Sequence, residues 1–359
     1  MVSRRILHVV DHLVPASGVA SVVISLIEGV RDFTHDVAVY GMCDPSIGQK
    51  IINQGGNVYK LPGITSKFGI LFAREFIILL QNVPYRIVHG HLLNSAFVYM
   101  RIAKWLKVPG RIIHVHSTLG ADTHFKRIRN KVLTCGITKL ANCNVAVSVD
   151  AAKYAFGKKH SHVVSNGIST SRFRYNPDVR QEIREELGVR KDVLCVGNVA
   201  RFTKLKNHTF LLDVFMKMCM QSNCILMLVG EGPQEVEIMN LVSAMGLSDY
   251  VKFLGARNDV ERLYQAFDVF LLPSLAEGFG LAALEAQCAG LGCVVSDQTP
   301  ITVGCSNRIK FISLNDTGTW AETALSMAKL QRIDGSKSVR DAKLDDKTMC
   351  DEILKIYQE

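Results

Sequence analysis

The 359-residue sequence contains no long hydrophobic run. Its apolar segments, such as residues 76–80, are far shorter than the roughly 18 residues that a membrane-spanning helix needs. The N-terminus, where Arg4 and Arg5 precede Ile-Leu-His-Val-Val-Asp-His, turns polar too soon for an export signal and predicts a buried strand. Because 48% of the residues are hydrophobic and 21% are charged, the composition excludes a disordered chain.

Cysteine pairs with metal-binding spacing are also absent. The chain has 10 cysteines, but none forms a C-x-x-C pair and most lie in apolar runs. This pattern predicts reduced, packed thiols in a cytoplasmic protein and argues against a structural zinc site.

Acidic residues are scarce in the first half of the chain. Residues 1–170 hold 20 Lys/Arg and 8 Asp/Glu (+12), whereas residues 171–359 hold 22 and 25 (−3). Basic amphipathic stretches of this kind favour an anionic membrane surface. Nucleic acid is the other polyanion considered, but no recognised nucleic-acid motif accompanies the charge. One basic cluster lies on and just beyond the predicted helix 94–106, and the second, the candidate membrane and acceptor surface, comprises Lys126, Arg127, Arg129 and Lys131.

Short apolar runs alternate with longer amphipathic ones along the whole chain, which predicts parallel sheets covered by helices. Two such series predict two doubly wound Rossmann-like domains facing across a cleft, at residues 1–168 and 169–340. Residues 341–359 are predicted to form a C-terminal helix that packs back toward the first domain. The predicted strands are residues 6–10, 36–40, 58–61, 86–89, 111–115, 145–149 and 162–164, and then 193–198, 225–229, 251–253, 269–272, 293–296 and 310–312.

The strongest chemical signal follows the predicted strand 269–272. A loop with the sequence Glu-Gly-Phe-Gly-Leu at 277–281 leads into an apolar helix that carries Glu285. Free N–H groups at that helix start attract phosphate. Glu277 and Glu285 would repel phosphate, so they are interpreted as acceptors for hydroxyl groups. A phosphate beside two hydroxyl-binding carboxylates indicates a nucleotide sugar.

Two further strand ends carry polar residues. Arg201 and Lys206 lie on one strand-to-helix loop, where two cations suit a diphosphate, and Asn207 is predicted to cap the following helix. Gly230 and Glu231 follow the next strand and are compatible with a nucleotide base or ribose, although Gly-Glu-Gly-Pro is also an ordinary turn.

The first half offers weaker signals. Ser17-Gly18 precedes a helix and could face a phosphate, but neither G-x-G-x-x-G nor a following acidic residue is present, so NAD is disfavoured. His114 and His116 end one strand on the same face, and His89 and His91 end its neighbour. A histidine there can exchange a proton near neutral pH. With no acidic residue close in sequence, a metal site is disfavoured.

Together these residues resemble the retaining glycosyltransferases of family four, which have the GT-B fold, and in particular their exopolysaccharide and capsule subgroup. Glu277 and Glu285 match the E-x7-E signature, and Arg201 with Lys206 matches the family's Arg/Lys pair. Residues 165–168 (Ser-Asn-Gly-Ile), 228–233 (Leu-Val-Gly-Glu-Gly-Pro) and 111–116 match further segments. The likeness spans about residues 4–300, but Ser17-Gly18 lacks one glycine and the acidic residue of the family's first loop.

The resemblance implies a metal-independent enzyme without cofactor, and no D-x-D triplet occurs. It would move a sugar from a nucleoside diphosphate, UDP above all, to a polyprenyl-diphosphate-linked glycan with retention. Residues 1–168 would then be the acceptor-binding domain and residues 169–340 the nucleotide-sugar-binding domain. The expected location is cytoplasmic, peripheral on the inner face of the membrane, with no nucleic-acid partner. The implied catalytic residues are His116, Glu277, Arg201 and Lys206, and the implied donor-binding residues are Gly18, Arg201, Lys206, Gly230, Glu231, Glu277, Gly278, Phe279, Gly280, Leu281 and Glu285.

Two other functions remain open from sequence alone. A nucleotide-sugar epimerase of similar architecture would need catalytic carboxylates in the first domain, where only Asp11, Asp122 and Asp150 lie near predicted strand ends. A non-enzymatic polyanion-binding protein would explain the +12 half but not the motifs of the second domain.

Overall fold

The computed structural model describes residues 4–14, 17–64, 68–116 and 136–359. It divides into two compact units. The N-terminal unit comprises Met1–Gly167 and Asp346–Glu359, and the C-terminal unit comprises Ile168–Asp345. The final helix, Asp346–Gln358, is therefore part of the N-terminal unit.

The N-terminal unit is built on a seven-stranded parallel sheet with the order β3-β2-β1-β4-β5-β6-β7. The order reverses direction between β1 and β4, which is where ligands bind in open α/β sheets. The strands are β1 (Arg5–Val10), β2 (Thr34–Val39), β3 (Val58–Lys60), β4 (Ile87–Gly90), β5 (Gly110–Val115), β6 (Cys143–Ala146) and β7 (His162–Val163).

The C-terminal unit repeats this plan with six parallel strands in the order β10-β9-β8-β11-β12-β13. Its central strands are mostly apolar because helices cover both faces; every residue of β9 is buried. The order reverses between β8 and β11. The strands are β8 (Leu194–Val199), β9 (Cys224–Val229), β10 (Val251–Phe253), β11 (Val269–Leu272), β12 (Gly292–Ser296) and β13 (Ile309–Ile312).

Helices connect successive strands in both units, and several begin at a side-chain cap such as Asp44, Ser148 or Asn176. In the N-terminal unit they are Gly18–Gly29, Pro45–Asn53, Phe68–Asn82, Ala96–Trp105, Val149–Phe156 and Asp346–Gln358. In the C-terminal unit they are Thr170–Phe173, Pro177–Glu186, His208–Cys219, Glu235–Ala244, Val260–Ala266, Leu281–Cys288, Thr317–Ala328 and Ser336–Asp341.

This architecture confirms the predicted fold class, two doubly wound Rossmann-like parts. Each predicted strand is present, but the one predicted at 145–149 lies at Cys143–Ala146 because Ser148 caps the next helix, its Oγ accepting from Ala151 N at 3.1 Å. The segment 169–177, where the second predicted domain begins, contains the short helix Thr170–Phe173 and the start of another at Pro177. None of the helices in the described part of the chain has the length and hydrophobicity that crossing a bilayer requires.

Candidate active site

Two loops of the C-terminal unit meet where the strand order reverses. One follows β8 and carries Arg201 and Lys206, and the other follows β11 and carries Glu277. Leu275 N donates to the carbonyl oxygen of Leu205 at 2.7 Å and so joins the two loops. Chain topology thus brings together predicted site residues from two distant motifs.

Lys206 and Glu277 form an ion pair at this junction. Lys206 Nζ lies 2.5 Å from Glu277 Oε1, and the buried Ser274 hydroxyl donates to the same oxygen at 2.6 Å. An ammonium group has three donors, so Lys206 can keep Glu277 while it also binds an anion. Glu277 Oε2 takes part in neither bond, which leaves an acceptor for a hydroxyl group. Sequence analysis missed this pairing because it treated the two motifs separately.

Arg201 has a different environment. Its side chain is exposed, and the described part of the chain offers it no ion pair. Asn207, predicted to cap the next helix, makes no side-chain capping bond; that prediction was wrong. Its backbone has φ 54°, in the left-handed region that asparagine tolerates, and this turn redirects the chain into His208–Cys219.

Gly230 is required by the packing of the loops. Its φ is 135°, and a Cβ there would lie 2.2 Å from the carbonyl oxygen of Ala200. At Gly232 a Cβ would lie 2.4 Å from the carbonyl oxygen of Phe202. Both glycines therefore let the turn after β9 press against the Arg201 loop, where Phe202 N donates to the carbonyl oxygen of Glu231 at 3.1 Å. This structural role was not foreseen from the sequence.

Gly280 starts the helix Leu281–Cys288 with φ 92°. That left-handed conformation suits glycine and ends the Glu-Gly-Phe-Gly loop in a helix N-terminus. Phe279 is buried and anchors the loop, whereas Gly278 and Leu281 are only partly buried. The unpaired N–H groups of such a helix start are suited to binding an anion.

Glu285 lies one turn into this helix. Its Oε2 accepts a hydrogen bond from the Tyr264 hydroxyl at 2.8 Å, a partner that no sequence signal indicated. Desolvation is the largest influence and raises the pKa of Glu285 from 4.5 to about 7, although the Tyr264 bond and Arg172 act in the opposite direction. Its ionised form is therefore costly until a donor compensates it.

In the N-terminal unit, Ser17 caps the helix Gly18–Gly29, and its Oγ accepts from Ala20 N at 3.3 Å. Gly18 is the first residue of that helix. Ser17 thus has a local structural role that the sequence alone did not show.

Six histidines gather on the same sheet. His114 and His116 have ring centroids 4.1 Å apart, and His89 and His91 are 4.2 Å apart, as expected for alternate residues on one face. The cluster is completed by His8 on β1 and His35 on β2, which sequence analysis did not connect with the others. Burial lowers the pKa of His116 to about 4, so its imidazole is neutral at pH 7.

Two groups of three imidazoles have nitrogens within 4.8 Å of one another: His8, His89 and His91, and His91, His114 and His116. This spacing is compatible with a transition-metal ion. Neither group includes a carboxylate or thiolate to offset the ion's charge. Several of these nitrogens are already hydrogen-bonded to one another, which favours a hydrogen-bonded cluster instead.

The second basic cluster, Lys126, Arg127, Arg129 and Lys131, lies outside the described residues. The charge asymmetry can still be assigned to the units from the sequence. The N-terminal unit, with its C-terminal helix, holds 22 Lys/Arg and 12 Asp/Glu (+10), and the C-terminal unit holds 20 and 21 (−1).

Comparison with known proteins agrees with this arrangement. The family model for Glycosyltransferase Family 4 matches residues 16–172, and that for Glycosyl transferases group 1 matches residues 179–323. EpsF of Bacillus subtilis (strain 168), named as a glycosyltransferase, is 29% identical over 343 residues, covering 92% of this chain and 89% of EpsF. The UDP-Gal:alpha-D-GlcNAc-diphosphoundecaprenol alpha-1,3-galactosyltransferase of Escherichia coli is 27% identical over 234 residues, covering 61% of this chain and 59% of that protein.

The solved structure of Anabaena HepE in complex with UDP and glucose has the same fold, with a TM-score of 0.82 at 17% identity over 99% of both chains. The two Rossmann-like units and the matched models define a glycosyltransferase of the GT-B class. The two models together cover most of the chain with a family 4-type domain followed by a group 1 domain, and the likeness to EpsF fits the exopolysaccharide subgroup. These findings do not favour an epimerase.

Proposed function

We propose that this glycosyltransferase moves a sugar from a UDP-sugar to a polyprenyl-diphosphate-linked glycan during polysaccharide biosynthesis, with retention of anomeric configuration. The observation that carries the proposal is the Lys206–Glu277 pair at the point where the strand order reverses. It places a cation beside a carboxylate oxygen that can accept a hydrogen bond from a hydroxyl group, and binding a nucleotide sugar requires both. The UDP complex of HepE and the diphosphoundecaprenol acceptor in the name of the Escherichia coli relative support the donor and acceptor classes.

Lys206 and Arg201 are proposed to bind the donor diphosphate. As the glycosidic bond breaks, negative charge grows on the leaving phosphate, and two fixed cations stabilise it more than they stabilise the intact donor. Arg201 is exposed and can turn its guanidinium to the phosphates. The helix start at Leu281, after Gly278 and Gly280, adds N–H donors.

Glu277 is proposed to hold a hydroxyl of the donor sugar through Oε2. Its other oxygen is already bound by Lys206 and by the Ser274 hydroxyl, which fixes the carboxylate plane. The sugar is thereby oriented relative to the diphosphate. This lowers the activation barrier because the reacting groups have already lost their translational and rotational freedom on binding.

Glu285 is proposed to accept hydrogen bonds from the ribose hydroxyls, with Gly230 and Glu231 beside the nucleoside. Ribose binding requires the carboxylate, and the pKa of Glu285 is raised to about 7. UDP affinity is therefore expected to weaken about tenfold per pH unit below about pH 7, and protonation of the terminal phosphate of UDP adds to this loss.

The Arg/Lys pair supplies the positive charge that other glycosyltransferases take from a metal ion, so activity is expected to persist in EDTA. Retention is proposed to follow from attack by the acceptor hydroxyl on the face from which the diphosphate leaves. His116 contributes a hydrogen bond to a substrate hydroxyl.

The +10 charge of the N-terminal unit supports a role in acceptor binding. A polyprenyl diphosphate is anionic and lies in an anionic leaflet, which attracts basic segments by about 1 kcal/mol per charge. We propose a peripheral position on the inner face of the cytoplasmic membrane, with Lys126, Arg127, Arg129 and Lys131 on the acceptor side. Reversing these four charges should weaken binding to anionic vesicles while UDP affinity is unchanged.

The test is product formation from a panel of nucleotide sugars and polyprenyl-diphosphate glycans. Lys206→Ala and Glu277→Ala should each lower kcat/KM by a factor of about 10² or more. Lys329→Ala, at an exposed lysine just after the helix Thr317–Ala328, is the matched control. Full activity in both site variants would contradict the assignment. Consumption of the donor without an acceptor would instead favour the epimerase.

A further inference from the structure

Four imidazoles in the N-terminal unit form one hydrogen-bonded chain that ends at His116. His116 Nε2 lies 3.0 Å from His91 Nδ1, and His91 Nε2 lies 2.9 Å from His8 Nδ1. His8 Nε2 in turn lies 2.9 Å from His35 Nδ1. The chain terminates where His35 Nε2 meets the carbonyl oxygen of Val30 at 2.7 Å. Each link joins Nε2 of one ring to Nδ1 of the next, so the chain has a direction.

That direction determines where the protons are. A carbonyl oxygen only accepts, so His35 Nε2 must carry the hydrogen that Val30 receives. A neutral imidazole has one N–H, which leaves His35 Nδ1 as an acceptor for His8 Nε2–H. The same logic passes through His91 to His116. Every ring therefore carries its proton on Nε2, and His116 Nδ1 keeps a bare lone pair.

The neutral state of these rings has a physical cause. Burial lowers the pKa of His8 and His91 well below the ordinary value and also lowers that of His35, where the Val30 bond and Asp36 act in the opposite direction. His89 stacks on His91, and His114 lies tilted against His116, but neither is a link in the chain. His89 Nδ1 is hydrogen-bonded to the Tyr357 hydroxyl at 2.6 Å.

The free end of the chain requires a donor. His116 Nδ1 is buried and has no hydrogen-bond partner among the described residues, and the same is true of Asn166 Oδ1. Asn166 lies within side-chain hydrogen-bonding reach of the ring and raises the pKa of His116 against the larger effect of burial, so a ring protonated on Nδ1 would donate to the Asn166 amide oxygen. With the proton on Nε2 instead, both atoms are acceptors that cannot satisfy each other, and leaving either unpaired is costly. A hydroxyl group is the donor of suitable size and polarity.

We propose that His35, His8 and His91 are positioning residues that hold His116 in its Nε2-protonated tautomer, so that Nδ1 accepts a hydrogen bond from a sugar hydroxyl. The tautomer follows from the hydrogen-bond chain alone. The identity of the hydroxyl rests on the proposed glycosyltransferase function.

The first test reads the tautomer directly in the full-length protein. Labelling with ¹⁵N-histidine and two-bond ¹⁵N–¹H spectra distinguish protonated from bare ring nitrogens, and His116→Asn assigns the His116 signals. The expected result at neutral pH is a bare Nδ1 and a protonated Nε2. A protonated Nδ1, or a stoichiometric metal ion in the purified protein bound through these rings, overturns the proposal. This readout needs no substrate, and the variant serves only to assign the signals.

The second test changes His91, the ring that links His116 to His8. In His91→Gln the amide oxygen can accept from His116 and the amide nitrogen can donate to His8, so polarity is kept; His91→Leu removes both bonds. The leucine variant should show mixed His116 tautomers and a loss of kcat/KM of about tenfold, the value of one hydrogen bond, while the glutamine variant stays near wild type. His160→Gln, at an exposed histidine, is the control.

Equal losses in both His91 variants, with the tautomer preserved in His91→Gln, would refute the link between tautomer and substrate binding. If instead no nucleotide sugar is transferred by the wild type, the proposed function fails while the tautomer measurement still stands. The two failures are thus distinguishable.

Discussion

Glu285 offers the sharpest quantitative prediction because burial favours its neutral form, whereas the proposed binding of ribose requires its ionised form. The carboxyl group lies on the helix Leu281–Cys288 and accepts a hydrogen bond from the Tyr264 hydroxyl. Replacing it by glutamine keeps an acceptor for Tyr264 and the side-chain volume but removes the ionisable group. The variant should therefore fold more stably at neutral pH and bind UDP more weakly.

The size of the effect follows from the pKa, which desolvation raises from 4.5 to about 7. A carboxyl group whose pKa is raised in this way on folding makes its full contribution to the free energy of unfolding below about pH 4.5. That contribution is lost as the pH rises through about 7. Each tenfold change in the acid constant corresponds to about 1.4 kcal/mol, so above pH 7 the ionised carboxylate lowers the free energy of unfolding by about 3 kcal/mol. Glu285→Gln should gain about this amount relative to wild type between pH 4.5 and pH 8.

The assay is urea unfolding of both proteins across that pH range. The stability difference, variant minus wild type, should rise with pH and level off near pH 8. Glu322→Gln, at an exposed carboxylate, is the control and should stay within about 0.5 kcal/mol of wild type throughout. A difference that does not change with pH, or one that falls as pH rises, would refute the reasoning about burial.

Three further outcomes follow from particular contacts. Gly230→Ala would force a Cβ to 2.2 Å from the carbonyl oxygen of Ala200, so it should lower the free energy of unfolding by about 2 kcal/mol and weaken UDP binding in calorimetry. Gly246→Ala has open space around it and should lower the free energy of unfolding by only about 1 kcal/mol, with UDP affinity unchanged. Asp268→Ala should lower the free energy of unfolding in urea by about 3 kcal/mol, since it removes the partner of Arg180 at 2.5 Å and of Arg184 at 3.1 Å; a loss under 1 kcal/mol would contradict this. UDP titrations should show affinity falling with pH below about 7 in wild type and a flatter profile in Glu285→Gln.

The strands were predictable because parallel strands buried on both faces leave continuous apolar runs. Two helices were missed that carry a readable start signal. Asp44-Pro45 and Asn176-Pro177 each combine a capping side chain with proline in the first helical turn. A capping residue followed by proline marks the start of a helix directly.

The residue types of the candidate site could be read from the sequence, but their pairing could not. Lys206 and Glu277 are 71 residues apart and meet because β8 and β11 are neighbours, a fact of strand order. Tyr264, the partner of Glu285, lies in the short helix Val260–Ala266, whose sequence gives no sign of this contact.

The histidine chain shows the same limit. Alternation along one strand predicted that His114 and His116 share a face, and this is confirmed. The link from His91 to His8 depends on β1 lying beside β4, which periodicity within a single strand does not report. Contacts between strands became predictable only once the sheet order was known.

The measurement that tests the central proposal most directly is the anomeric configuration of the product. The wild-type chain, incubated in EDTA with a UDP-sugar and a polyprenyl-diphosphate glycan, should form a glycosidic bond whose configuration by NMR matches that of the donor. Product with the inverted configuration, or transfer that occurs only when a divalent metal is added, would contradict the mechanism built on Lys206, Glu277 and Arg201.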